Sequence, residues 1–275
     1  MRPWQELALL LAAEPAVLVR VDAVQGSGPR EVGAWMAVGR SVLIATIGGG
    51  HLEFEAIAQA RAILAGGRPA EPPGPLTRRF ALGPSLGQCC GGIVQLRFEL
   101  LGAAHIPGLK AQLADAEPRL PVALFGGGHV GRAIMRLLGE LPAEVFWVDS
   151  RDEIFPEALP DNVSAEHSDP VQAAVQDLVP GSRVLIMSFS HAEDLDVVAA
   201  CLQRRRERDD LPFIGLIGSK SKWATFRHRL EARGFSAAEL AGITCPIGVP
   251  GIGGKQPAVI AVAVVAQLLQ GWPAP

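Results

Sequence analysis

The chain has 275 residues and carries 25 Lys and Arg against 28 Asp and Glu, a net charge of −3; the length allows two ordinary domains, and the lack of a basic excess argues against a protein that grips nucleic acid by its phosphates. Hydrophobic residues make up 49% and charged residues 19%, which suits a packed core and excludes a disordered chain. Mean hydropathy is +0.26, but the longest apolar run, residues 258–266, is far shorter than the ~20 residues of a membrane-spanning helix, so it reads as a buried helix.

The chain opens Met1-Arg2-Pro3-Trp4-Gln5-Glu6 before a short leucine run. An acid there fits an amphipathic first helix better than a secretory segment. Strands are predicted over 16–24, 34–38 and 42–47. Gly48-Gly49-Gly50 then breaks the chain, and 51–64 has helical rhythm, with Leu52, Ala56 and Ile63 opposed to Glu55 and Gln59. The Pro/Gly-rich run 66–75 is a loop, 92–100 reads as β, and 102–120 as a linker. Beyond it the alternation becomes regular. Strands are predicted over 122–125, 144–148 (ending at Asp149), 183–189 and 213–217. Helices are predicted over 129–140, 170–178, 193–206, 220–233 and 257–269. Alternation of near-continuous apolar strands with helices implies a parallel sheet covered on both faces. The charged run Arg204-Arg205-Arg206-Glu207-Arg208 reads as a solvated helix end. The cysteines, Cys89, Cys90, Cys201 and Cys245, lack the paired spacing of a secreted scaffold, which places the protein in the cytoplasm.

Gly126-Gly127-Gly128-His129-Val130-Gly131 matches G-x-G-x-x-G between a strand and a helix. The first glycine permits a tight turn, the second lets a pyrophosphate approach the backbone, and the third lets helix and strand pack closely. The helix start adds free N–H groups and partial positive charge. Asp149 closes the next strand about 20 residues on, where a ribose hydroxyl is held in dinucleotide-binding folds; alternatively it caps the strand end. Arg151 meets an extra phosphate or makes a surface salt bridge. Two further strand ends face the same edge. Ser190, His191 and Asp194 follow one; Gly218, Ser219 and Lys220 follow the other, in a donor-rich loop suited to an anion or simply to capping a helix. His191 is a candidate base or ligand to a substrate oxygen, or structural. The fold class is therefore α/β: a C-terminal Rossmann-type parallel-sheet domain (121–275) with a smaller N-terminal α/β domain (1–101).

Two N-terminal segments also carry chemistry. Gly26-Ser27-Gly28-Pro29-Arg30 is a tight, donor-rich loop. Gln88-Cys89-Cys90 sits among glycines, where a thiolate would bind a soft metal or carry sulfur; on spacing alone, two small buried hydrophobes are the simpler reading. His51 and Glu55 lie one helical turn apart, but no third ligand is evident, so no metal site is expected. The repeat of Ile47-Gly48-Gly49-Gly50-His51-Leu52 in Phe125-Gly126-Gly127-Gly128-His129-Val130 is attributed to chance in a glycine-rich chain.

Taken together, Gly26–Arg30, Thr46-Ile47-Gly48-Gly49-Gly50-His51-Leu52-Glu53, the segment from Leu82 to Gly92, the glycine turn with Val148-Asp149-Ser150-Arg151, Leu216-Ile217-Gly218-Ser219-Lys220 and Cys245-Pro246-Ile247-Gly248 resemble the xanthine dehydrogenase accessory proteins, the XdhC/CoxI family. The resemblance implies a non-catalytic chaperone, often dimeric, with a small N-terminal domain and a C-terminal Rossmann domain. It would bind the molybdenum cofactor (molybdopterin) as cargo, protect it while a cysteine desulfurase helps install the terminal sulfur, and deliver it to the molybdenum subunit of xanthine dehydrogenase. No nucleic acid or membrane is expected as a partner. The glycine turn would hold the phosphate, Ser219 and Lys220 would neutralise it, and Cys89 or Cys90 would lie near the metal or relay sulfur. One departure is Phe189, which stands where a histidine is common in the family. The alternative is an NAD(P)-dependent oxidoreductase using the same turn, with His191 as acid–base residue.

Overall fold

The computed structural model describes residues 2–66, 75–82, 92–113 and 119–270. The chain divides into two compact units, one up to residue 117 and one from residue 118 to 274.

The first unit is built on an antiparallel sheet. Its elements are α1 (Pro3–Ala13), β1 (Ala16–Gln25), β2 (Trp35–Val38), β3 (Leu43–Ala45), α2 (Gly50–Leu64), β4 (Leu76–Ala81), β5 (Ile93–Leu101) and α3 (Ile106–Leu113). The strand order is β3-β2-β1-β5-β4, and every pairing is antiparallel. Successive side chains of a strand face opposite ways, and β1 buries both faces. Val17, Val19 and Val21 pack with Leu52, Ala56 and Ala60 of α2. Ala16 and Leu18 pack with Leu7 and Leu11 of α1 and Leu109 of α3. The stretch expected to be a linker thus carries a helix. Pro107 is tolerated in its first turn, while Leu109 and Leu113, four apart, bury one stripe. β4 was not expected; its Thr77, Arg78 and Arg79 are exposed, as befits an edge strand without apolar alternation.

The second unit comprises β6 (Leu120–Phe125), α4 (His129–Leu138), β7 (Ala143–Asp149), β8 (Val163–His167), β9 (Arg183–Ile186), α5 (His191–Arg208), β10 (Phe213–Leu216), α6 (Lys220–Ala232), α7 (Ala237–Ala241), β11 (Ile243–Thr244) and α8 (Pro257–Gln270). Its six strands run in the order β11-β10-β9-β6-β7-β8, all parallel. The first strand lies in the middle and the chain winds outward first one way and then the other, which is Rossmann topology with its order reversal between β6 and β9. Ala123 and Phe125 of β6 face the core under α5 and α6; Val122 and Leu124 face the core under α4 and α8. Segment 170–178, expected to be an α-helix, forms a 3-10 helix over Val171–Asp177. The helix 193–206 extends to His191–Arg208, and the strand expected over 183–189 stops at Ile186. Among the described residues, no helix is long and apolar enough to cross a membrane.

The expectation of a solvated arginine run on α5 is overturned at Arg204, which is 0% exposed. Its guanidinium donates to the carbonyls of Val175 (2.7 Å), Gln176 (3.1 Å) and Leu178 (2.6 Å) and to both oxygens of Asp210 (2.9 and 2.7 Å). It ties α5 to the 3-10 segment, and burial is tolerated because its donors find acceptors. Arg204→Met should cost about 3 kcal/mol or more, since it strands three carbonyls and the Asp210 carboxylate. Denaturant unfolding monitored by circular dichroism checks this.

Candidate functional site

The site begins with glycines whose hydrogen atoms are required by packing. Gly126 has φ of +123°, and a Cβ there would overlap the Met187 carbonyl oxygen just beyond β9. A Cβ at Gly131 would overlap the Gly126 carbonyl, so glycine lets the first turn of α4 sit against the end of β6. The turn is pinned from below: the Trp147 indole, buried in β7, donates to the Gly126 carbonyl at 3.0 Å. Gly128 is different. It is the N-cap of α4, no side chain caps it, and a Cβ there would meet nothing within 4 Å. The first N–H groups of a helix have no intrahelical acceptor, so the start of α4 opens onto empty space at the point where the strand order reverses. His129 is exposed and Val130 half-buried at the rim.

Asp149, at the end of β7, is 1% exposed. Its Oδ2 accepts from the Gly127 N–H (2.5 Å) and Arg151 Nη2 (2.8 Å); its Oδ1 accepts from the Arg151 N–H (2.9 Å) and Nε (2.8 Å). Burial pushes the carboxyl pKa upward, but the hydrogen bonds from Arg151 and from the Gly127 amide outweigh it and hold the group below its ordinary value. The guanidinium of Arg151, its own pKa raised by the Asp149 hydrogen bonds, lies 4.6 Å from the centre of the Phe189 ring, which is 64% exposed.

The other strand ends contribute a second buried carboxylate. Asp194 accepts from the Ser188 N–H at 2.7 Å and from Lys222 Nζ at 2.6 Å; Lys222 also donates to the Ile217 carbonyl at 2.9 Å. The lysine that reaches inward is therefore Lys222. Lys220 is exposed, and Ser219 caps α6 by accepting from the Lys222 N–H at 3.1 Å. A Cβ at Gly218 would come within 2.7 Å of the Lys222 side chain, so this glycine leaves room for it. Ser190 caps α5, accepting from the Glu193 N–H at 3.2 Å, and Glu193 joins two strand ends by accepting from Ser150 Oγ (3.0 Å) and the Phe189 N–H (3.1 Å). His191 is exposed, edge-on to Phe226 with 6.3 Å between ring centres. The Ser188 Oγ is buried and has no hydrogen-bond partner among the described residues. Trp147, Glu193 and Lys222 were missed by sequence reasoning; the Ser-x-x-Glu spacing of Ser190 and Glu193 was the available signal for one of them.

The first unit gathers its own motifs. Pro29 of the Gly26–Arg30 loop lies where a Cβ on Gly48 would come within 2.5 Å, and Ser27 lies against Gly92. Glu53 holds the three-glycine turn, accepting at one oxygen from Thr46 Oγ1 (2.5 Å), the Ile47 N–H (3.0 Å) and the Gly49 N–H (3.1 Å). This turn differs from the one at Gly126: Gly48, Gly49 and Gly50 all have positive φ, whereas Gly128 has φ of −70°. His51 and Glu55 pair at 3.2 Å on the surface, and among the described residues no group of three metal-ligating side chains forms. Gln88, Cys89 and Cys90 lie outside the described residues. Cys201 is buried, which pushes its thiol up to about 12; Cys245 is half-buried and raised, chiefly by desolvation. A separate cavity of about 580 Å³, bounded by Leu202, Arg205, Glu239 and Gly242, lies beside the start of β10. Its arginines are engaged: Arg205 donates to the Leu211 and Gly242 carbonyls, and Arg206 pairs with Glu239.

Residues 122–268 match the XdhC Rossmann domain, and residues 9–80 match the XdhC and CoxI family. The chain belongs to the XdhC and CoxI family. Escherichia coli K12 YqeB is 26% identical over 259 residues, 93% of this chain, and the chain spans 43% of that relative's length. A crystal structure from Bacillus halodurans, described as a xanthine dehydrogenase, superposes with a TM-score of 0.75 at 19% identity, covering 98% of this chain and 95% of the other; this likeness shows the fold. A Rossmann-fold NAD(P)-binding family protein from Shigella flexneri gives a TM-score of 0.39 at 14% identity, covering 56% of this chain and 88% of the other.

Two results are expected from this XdhC-family crevice. Gly126→Ala should cost at least about 2 kcal/mol through backbone strain and overlap, whereas Gly128→Ala should cost no more than about 1 kcal/mol; thermal and denaturant unfolding of both variants checks the contrast. A carboxyl whose folded pKa is depressed contributes stability above its unfolded pKa, about 3.9, and loses it as pH falls through the folded value. The stability difference between wild type and Asp149→Asn should therefore be full at neutral pH and close in acid, below about pH 4. Urea titrations from pH 7 to pH 3 measure it.

Proposed function

We propose that this protein is a chaperone for the molybdenum cofactor, with molybdopterin held as cargo by the second unit. One observation carries the reading: the uncapped start of α4 at Gly128, open to space at the reversal of strand order. Molybdopterin ends in a phosphate, and a helix N-terminus supplies N–H donors and partial positive charge to such a group. The fit is supported by the open space beside Gly128, where even a Cβ would meet nothing within 4 Å. Gly128, His129 and Val130 would present backbone N–H groups to the phosphate. Lys222 is neutralised by its pair with Asp194 and would hold the crevice wall in place rather than touch the phosphate. The exposed Lys220, together with Ser219, is a further candidate for neutralising the phosphate.

Family membership supports a role in the maturation of xanthine dehydrogenase, with its molybdenum subunit as recipient, a cysteine desulfurase as the sulfur source, a cytoplasmic location and a homodimer as further parts of this reading. An NAD(P)-dependent oxidoreductase draws less support, because both oxygens of Asp149 are engaged within the domain.

The protein purified from cells that make molybdopterin should release, on oxidation, the fluorescence of oxidised pterin. Gly128→Leu should keep the circular dichroism spectrum and lose that fluorescence. A wild-type preparation without pterin overturns the proposal, and tight nicotinamide binding with hydride transfer would favour the oxidoreductase.

A further inference from the structure

Asp149 stands where dinucleotide-binding folds place the acid that receives a ribose diol. An ionised carboxylate offers about four lone-pair positions, and here four donors take them: the Gly127 N–H and Arg151 Nη2 on Oδ2, the Arg151 N–H and Nε on Oδ1. Two of the four come from the Arg151 side chain, one on each oxygen. They form the parallel, charge-assisted fork that is the strongest arrangement these groups make. A neutral diol would have to replace that fork, and the Phe189 ring stacked 4.6 Å from the guanidinium helps hold it in place.

We infer that Arg151 is a specificity-determining residue that closes this crevice to the ribose diol of nicotinamide and adenine dinucleotides. The inference rests on reading the start of α4 as a phosphate site, but not on which phosphate ester occupies it. With the Arg151 side chain removed, one lone-pair position opens on each oxygen of Asp149, the pattern that two neighbouring hydroxyls match. The backbone donors of Gly127 and Arg151 remain to hold the carboxylate, so the acid keeps partners after the side chain is gone.

The test is calorimetric titration of wild type, Arg151→Ala and Phe189→Ala with NAD, with an NAD analogue lacking the adenosine 2′-hydroxyl, and with inorganic pyrophosphate. A hydrogen bond to a charged group discriminates by roughly tenfold or more, so Arg151→Ala should bind NAD at least about tenfold more tightly than wild type does. The deoxy analogue should gain little, and adding Asp149→Asn should abolish the gain. Phe189→Ala, a change at an exposed ring, should move in the same direction by a smaller factor. Pyrophosphate should bind wild type and Phe189→Ala alike. If pyrophosphate binds but neither variant gains NAD affinity, the role of Arg151 is overturned and the phosphate site stands. If pyrophosphate binds none of them, the phosphate site fails and this inference fails with it.

Discussion

A side chain at Gly126 would overlap the Met187 carbonyl oxygen, so the chain leaves β6 in contact with the end of β9 only because nothing projects between them. That contact fixes where α4 starts, and the Trp147 indole below it holds the turn to β7. With the floor rigid, the one glycine of the turn that faces open space, Gly128, stands at the mouth of the crevice. Packing and openness are thus divided among glycines that look alike in the sequence.

Two buried carboxylates organise the walls, each neutralised by a cation from the same unit. Asp149 is saturated by Arg151 and the glycine turn, so it locks the first wall to the floor. Asp194 takes Lys222 and the Ser188 N–H, so it ties the start of α5 to that of α6. A buried charge is tolerable only when paired and hydrogen-bonded, and each pair here joins elements that the chain delivers separately. What is left for a ligand is mainly backbone N–H, with the side-chain charges already directed inward.

The parallel sheet and glycine turn were legible because local rules and tertiary demands agree there: apolar strands, a glycine at each close approach, an acid at the next strand end. Elsewhere they part. β4 and β8 lie at sheet edges; β4 carries Thr77, Arg78 and Arg79 in place of alternation, and the alternation of β8 is short and rests on only Val163 and Ala165. The pattern of Val171, Ala174 and Val175 suits a tight 3-10 turn as well as an α-helix. Arg204 sits in a charged run that reads as solvated, and its burial is made possible by the Asp210 carboxylate together with the carbonyls of a distant segment. At the site, Asp149 and the turn were legible as neighbours, but that Arg151 would saturate the acid depends on side-chain direction. Likewise, which lysine of Lys220 and Lys222 turns inward is decided by Asp194, 28 residues before Lys222.

Among the described residues β4 is a rim strand of the first unit's sheet, with Arg78 and Arg79 exposed. A rim strand offers unpaired amides and carbonyls that a strand from another molecule can extend. Arg78 and Arg79 point to opposite faces of the sheet, so an identical strand docking there would bring cations together on both faces. The same two arginines that hide β4 from a reader looking for alternation therefore discourage a second copy of the chain from extending the described sheet at this strand.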